Sequence, residues 1–123
     1  MSVTSIILQY SALPPDSVKE WTPGALEDID SSILFVLATW SGQSLAAFKK
    51  LTSRLANEPG GPELLVCDID KLSPELTRQL GSLRGVGETF WISKGRVVAR
   101  TIDYEHDDWS DSIDKNNNIL RKD

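Results

Sequence analysis

The stretch that decides the fold reads Ile33-Leu34-Phe35-Val36-Leu37-Ala38-Thr39-Trp40-Ser41-Gly42-Gln43-Ser44. Its continuous apolar run, Ile33 to Leu37, describes a strand buried on both faces, as in a sheet covered by helices on either side. After Trp40 the pattern turns helical. Ser41 offers an N-cap oxygen, and Leu45, Phe48, Leu51 and Leu55 recur at helical spacing with Lys49, Lys50 and Arg54 between them. Asn57-Glu58-Pro59-Gly60-Gly61-Pro62 then stops the helix with strong breakers.

Further along the chain, Leu64-Leu65-Val66-Cys67 reads as another buried strand. Ser73 before Pro74 predicts a helix start, with Leu76, Leu80 and Leu83 on one face. Thr89 to Ile92 and Arg96 to Ile102 flank Ser93-Lys94-Gly95, a compact hairpin signal. A last helix is expected over Asp107 to Leu120, although Asn116-Asn117-Asn118 are poor helix formers. Towards the N-terminus, Thr4 to Tyr10 reads as a strand through Ile6, Ile7 and Leu8. Pro14-Pro15 breaks it, Asp16 caps a short helix carrying Val18 and Trp21, and Ala25 to Ile29 resumes a helical pattern after Thr22-Pro23-Gly24. The expected order is β-α-β-α-β-α-β-β-α. It describes an α/β domain over residues 1–123, with a mixed sheet of about five strands and helices on both faces.

The 123 residues, 40% hydrophobic and 25% charged, suffice for one core without staples. No apolar run reaches membrane-spanning length, and no positive side chain precedes Ile6-Ile7-Leu8 as a signal peptide would require. A cytoplasmic location and no membrane partner are therefore expected. Cys67 is the single cysteine, so neither an intramolecular disulfide nor a cysteine zinc site is available. A net charge of −5 opposes nonspecific nucleic-acid binding, suits a basic protein partner, and also serves plain solubility.

The order of elements, with particular residues, resembles the thioredoxin family over nearly the whole chain. Ala38-Thr39-Trp40-Ser41-Gly42-Gln43-Ser44 stands where thioredoxins carry Trp-Cys-Gly-Pro-Cys, Cys67-Asp68-Ile69-Asp70 resembles the strand end with its Ile-Asp pair, and Arg84-Gly85-Val86-Gly87 replaces an Arg-Gly-Ile-Pro turn. The resemblance implies the fold, and the departures imply a lost activity. Ser41 and Ser44 replace both motif cysteines, Gln43 replaces the proline between them, Val86-Gly87 replaces the cis-proline turn, and Phe35 occupies the place of a buried acid. Disulfide exchange needs a thiolate, and a hydroxyl does not substitute for one. No catalytic residue and no cofactor are expected.

By the same resemblance, Trp40-Ser41-Gly42-Gln43 and Gly85-Val86-Gly87 would face each other across a groove able to hold an extended partner segment. A second candidate surface is acidic: Asp103, Glu105, Asp107, Asp108 and Asp111, with Tyr104 and Trp109 interleaved. Oxygen ligands of this kind suit a divalent cation, but the stretch lacks the glycine turn and alternation of a calcium loop, so no metal is expected. The acids equally suit a helix start, with Trp109 and Ile113 packing inward.

The function expected on these grounds is a redox-inactive protein-binding module, of the immunity-protein, assembly-chaperone or adaptor type. Alternatives from other classes are an enzyme or sensor using Cys67 or a Ser41/His106 pair, and a domain that oligomerises through a sheet edge. Against the first stand the apolar neighbours of Cys67, which mark a buried thiol, and the capping role that accounts for Ser41.

Overall fold

The computed structural model describes residues 2–123. Five strands form one sheet: β1 (Val18–Glu20), β2 (Ser31–Leu37), β3 (Glu63–Asp68), β4 (Thr89–Ser93) and β5 (Arg96–Thr101). Their order across the sheet is β1-β3-β2-β4-β5. β3 pairs in parallel with β1 and β2, whereas β4 is antiparallel to both β2 and β5. This is the mixed five-strand sheet expected, with the hairpin supplying the antiparallel part. Lys94 and Gly95, both at positive φ (53° and 77°), close that hairpin in a two-residue turn.

Four helices cover the sheet: α1 (Val3–Tyr10), α2 (Gly42–Ala56), α3 (Pro74–Leu80) and α4 (Trp109–Lys122). The continuous run in β2 serves two cores at once. Ile33, Phe35 and Leu37 join Phe48 and Leu51 of α2, Ile6 of α1 and Ile113 of α4. Leu34 and Val36 join Leu76 and Leu80 of α3, with Leu26 and Ile29 beside them. Alternate side chains of a strand point to opposite faces, so a run buried throughout requires a layer on each side.

Three N-terminal expectations are corrected. Residues 3–10 form a helix, not a strand, with Val3 and Ile6 buried on the α2–α4 face and Leu8 left 77% exposed. Three adjacent apolar residues fit either period, and the Ser2 hydroxyl, which accepts from the Ser5 N–H, tips the local balance towards the helix. The expected helix carrying Val18 and Trp21 is a single 3₁₀ turn at Pro15–Ser17 followed by β1, whose Val18 lies opposite Leu64 of β3. Pairing along the free side of β3 overrides the weak helical pattern there. The helical stretch expected over Ala25 to Ile29 shrinks to a 3₁₀ turn at Leu26–Asp28.

The three asparagines expected to weaken the last helix lie well inside α4 and bind the sheet and their own helix. Asn116 Nδ2 donates to the Arg100 carbonyl and to Thr101 Oγ1, Asn117 Oδ1 accepts from the Trp91 indole, and Asn118 Oδ1 accepts from Arg121. Hydrogen bonds to β4 and β5 offset their low intrinsic propensity.

Candidate functional site

Strand directions bring the chemistry-bearing segments to one end of the sheet. β2, β3 and β5 run the same way, so their C-terminal ends, together with the start of β4, lie along a single edge. That edge carries Asp68 to Asp70 after β3, Ala38 to Ser44 after β2, Arg84 to Glu88 before β4, and Ile102 to Asp108 after β5.

Trp40 is 64% exposed at this end and is held in place from two sides. Its indole Nε1 donates to Asp70 Oδ2 at 3.0 Å. Its ring also lies so close to Gly85 that a β-carbon there would sit 2.8 Å from Trp40 Cη2. Ser41 and Ser44 are both used structurally. Ser41 Oγ accepts from the Ser44 N–H at 3.3 Å as the cap of α2, and the buried Ser44 Oγ accepts from the Ala38 N–H at 3.0 Å. Gly42 and Gln43 are exposed in the first turn of α2.

The turn opposite is organised by a residue that sequence reading missed. Glu88 is buried, and its carboxylate accepts from the backbone N–H groups of Arg84 and Val86. All described peptide bonds are trans. Val86 is half-exposed, whereas Gly87 is buried, with its α-carbon pressed towards Ala47 and Phe35. Trp40 and Gly85 therefore do meet, while Gly87 forms the wall beneath the surface and the Val86 N–H is already engaged inside the chain. The signals available in sequence were the glycines of Arg84-Gly85-Val86-Gly87 and the acid that follows them.

The acidic residues Asp103, Glu105, Asp107, Asp108 and Asp111 are all exposed. Asp103 Oδ1 accepts from the Glu105 N–H, and Asp108 lies 2.6 Å from His106 Nδ1. Tyr104 and Trp109 turn inward, as expected for Trp109: the Tyr104 hydroxyl shares a hydrogen bond with Thr89, and Lys50 reaches the Tyr104 carbonyl and lies over the Trp109 ring. Asp114, in the next turn, is taken by Arg54 of α2 in a two-point ion pair that holds its carboxyl below the usual range. Among the described residues, no cluster of His, Cys, Asp and Glu is arranged to hold a metal.

Cys67 is fully buried in β3, and desolvation, reinforced by neighbouring Asp68, pushes its thiol up to about 12. A thiol protonated so far above neutrality is not a nucleophile at physiological pH. His106 Nδ1 is paired with Asp108, and the Ser41 hydroxyl caps α2, so each member of the suggested pair has another partner. Among the described residues no helix is long and apolar enough to cross a membrane.

The fold is thioredoxin-like. Solved structures similar to it include the reduced form of desulfothioredoxin from Desulfovibrio vulgaris Hildenborough, with a TM-score of 0.59 and 20% identity over 78% of this chain and 88% of that one. A reduced thioredoxin pre-protein of Schistosoma mansoni matches with a TM-score of 0.58 and 21% identity over 86% of this chain and 97% of that one. The thioredoxin of Malassezia sympodialis matches with a TM-score of 0.61 and 14% identity over 89% and 98%. No family model matches the sequence, and no curated protein is significantly similar to it. A single cysteine cannot carry out exchange between a dithiol and an intramolecular disulfide, so the chemistry of a Cys-x-x-Cys pair does not extend to this chain.

Proposed function

We propose that this domain binds another protein at the C-terminal edge of its sheet and performs no redox step there. The carrying observation is Trp40: a large aromatic side chain that stays mostly exposed yet is fixed by Asp70 and seated against Gly85. An exposed indole immobilised before binding loses little rotamer freedom on association, and tryptophan is among the residues that dominate interface energies. Both serines beside it are committed to capping and turn contacts. The exposed carboxylates of Asp103, Glu105, Asp107 and Asp108 share the same end of the sheet, and they favour a partner with a basic surface through steering. An immunity protein, an assembly chaperone or an adaptor subunit would each use such a surface.

The test is affinity capture with the wild-type chain and two variants, Trp40→Ala and the pair Asp107→Lys with Asp108→Lys, followed by titration of any purified partner. The expected result is a partner retained by the wild type, weakened at least roughly tenfold by Trp40→Ala, and bound with a flatter salt dependence by the charge-reversed chain. A partner retained equally by all three would place the binding surface elsewhere and overturn the reading.

A further inference from the structure

At the opposite end of α2, some 20 Å from Trp40 by helix length, lies a cavity of about 500 Å3. Leu13, Leu55, Ala56, Pro59 and Pro62 give it an apolar wall, and Asn117 of α4 supplies a polar group. Asn117 is only 4% exposed. Its amide orientation is decided by chemistry: the indole of Trp91 can only donate, and it donates to Asn117 Oδ1 at 2.8 Å. The amide nitrogen must then face away from Trp91. Nδ2 has no acceptor among the described residues, yet Asn117 lines the cavity, and no fully buried polar atom is left unpaired. The two N–H donors therefore reach open space at this end of the molecule, where Asn117 lines both this cavity and a smaller recess beside it formed with Ser31, Leu120 and Arg121. The charge at its rim, Glu58, is paired with Arg121 at 3.2 Å, so the interior offers no free cation for an anionic ligand.

The geometry points to a binding site for a small neutral molecule that combines an apolar body with a carbonyl oxygen, the oxygen accepting from Asn117 Nδ2. The volume lies within the range of small-molecule sites, and one directed donor in an apolar wall is how such sites fix orientation. A carboxylate would bring its charge to an apolar wall beside Glu58 without a free cation to meet it. This site is independent of the surface around Trp40.

Titration of the full ¹⁵N-labelled chain with cyclohexanone tests the assignment, because the Trp91 indole N–H is one hydrogen bond from the proposed donor. A saturable shift of that resonance and of the Gly61 amide is expected, with a Kd on the order of a few millimolar, the range open to so small a ligand. Cyclohexanecarboxylate at neutral pH should bind at least roughly tenfold more weakly. Asn117→Asp, which keeps an acceptor for Trp91 but loses the donor, should weaken cyclohexanone by a similar factor. Ala56→Leu, which fills the cavity without touching the amide, should abolish the shift and covers the case in which Asn117→Asp fails to fold. Absence of a saturable shift in the wild type, equal binding of the carboxylate, or binding unchanged in either folded variant would each overturn the proposal.

Discussion

Gly87 stands so close to Ala47 that a β-carbon added to it would lie 2.4 Å from the Ala47 methyl and 3.2 Å from the Phe35 ring. Its φ of +92° is also one that other residues rarely adopt. Gly87→Ala is therefore expected to destabilise the fold by about 2–4 kcal/mol, from overpacking and backbone strain together. Gly42, in the first turn of α2, is the control: nothing lies within 4 Å of its missing β-carbon, so Gly42→Ala should be neutral or stabilising by up to about 1 kcal/mol. Urea unfolding of both variants checks the contrast, which comparable midpoints would contradict.

The Glu88 carboxylate holds the turn facing Trp40 through the N–H groups of Arg84 and Val86. Glu88→Gln keeps one acceptor oxygen and loses the other, at an expected cost of about 1–2 kcal/mol. Amide exchange at Arg84 or Val86 should accelerate before that of β4. Unchanged protection at both amides would show that the carboxylate does not organise the turn.

Asp114 is held by Arg54, whose hydrogen bond and charge lower its carboxyl pKa in the folded chain. A depressed folded pKa stabilises the protein above the unfolded carboxylate pKa, and that contribution disappears as pH falls through the folded value. The wild type should therefore lose stability on acidification more steeply than Asp114→Asn. Parallel pH profiles of urea midpoints below about pH 5 would refute this.

Cys67 shifts the other way. Its folded thiol pKa of about 12 exceeds that of an unfolded thiol, which titrates near roughly 8.5. The resulting stability is complete below the unfolded value and declines as pH rises from there towards the folded one. Native protein should resist iodoacetamide at pH 8 and react promptly once unfolded. Rapid labelling of the native chain at that pH would reopen a sensor role for the thiol.

Local pattern made much of the architecture legible. β2 and β3 were readable because five- and four-residue apolar runs bounded by breakers have few other uses, and α2 and α3 because Ser41 and Ser73 cap helically spaced leucines. The N-terminal segment was not readable, since Ile6-Ile7-Leu8 fits a strand or a helix equally until packing buries Val3 and Ile6 and leaves Leu8 outside. Trp40 was legible as a candidate, but its anchoring by Asp70 was not, because 30 residues separate the two.

The sequence by itself determined the alternation of strands and helices, the buried central strand and the absence of a cysteine pair, since each follows from residue type and short-range spacing. Only the tertiary structure decided that residues 3–10 are helical, that Gly87 is wall and not groove, that Glu88 pins the turn facing Trp40, and that Asn117 is held by the Trp91 indole beside a cavity. The first, second and fourth depend on what packs against the residue from a distant part of the chain, and close packing between elements leaves no trace in local periodicity; the Glu88 contacts span only two to four residues but follow no helical or strand period.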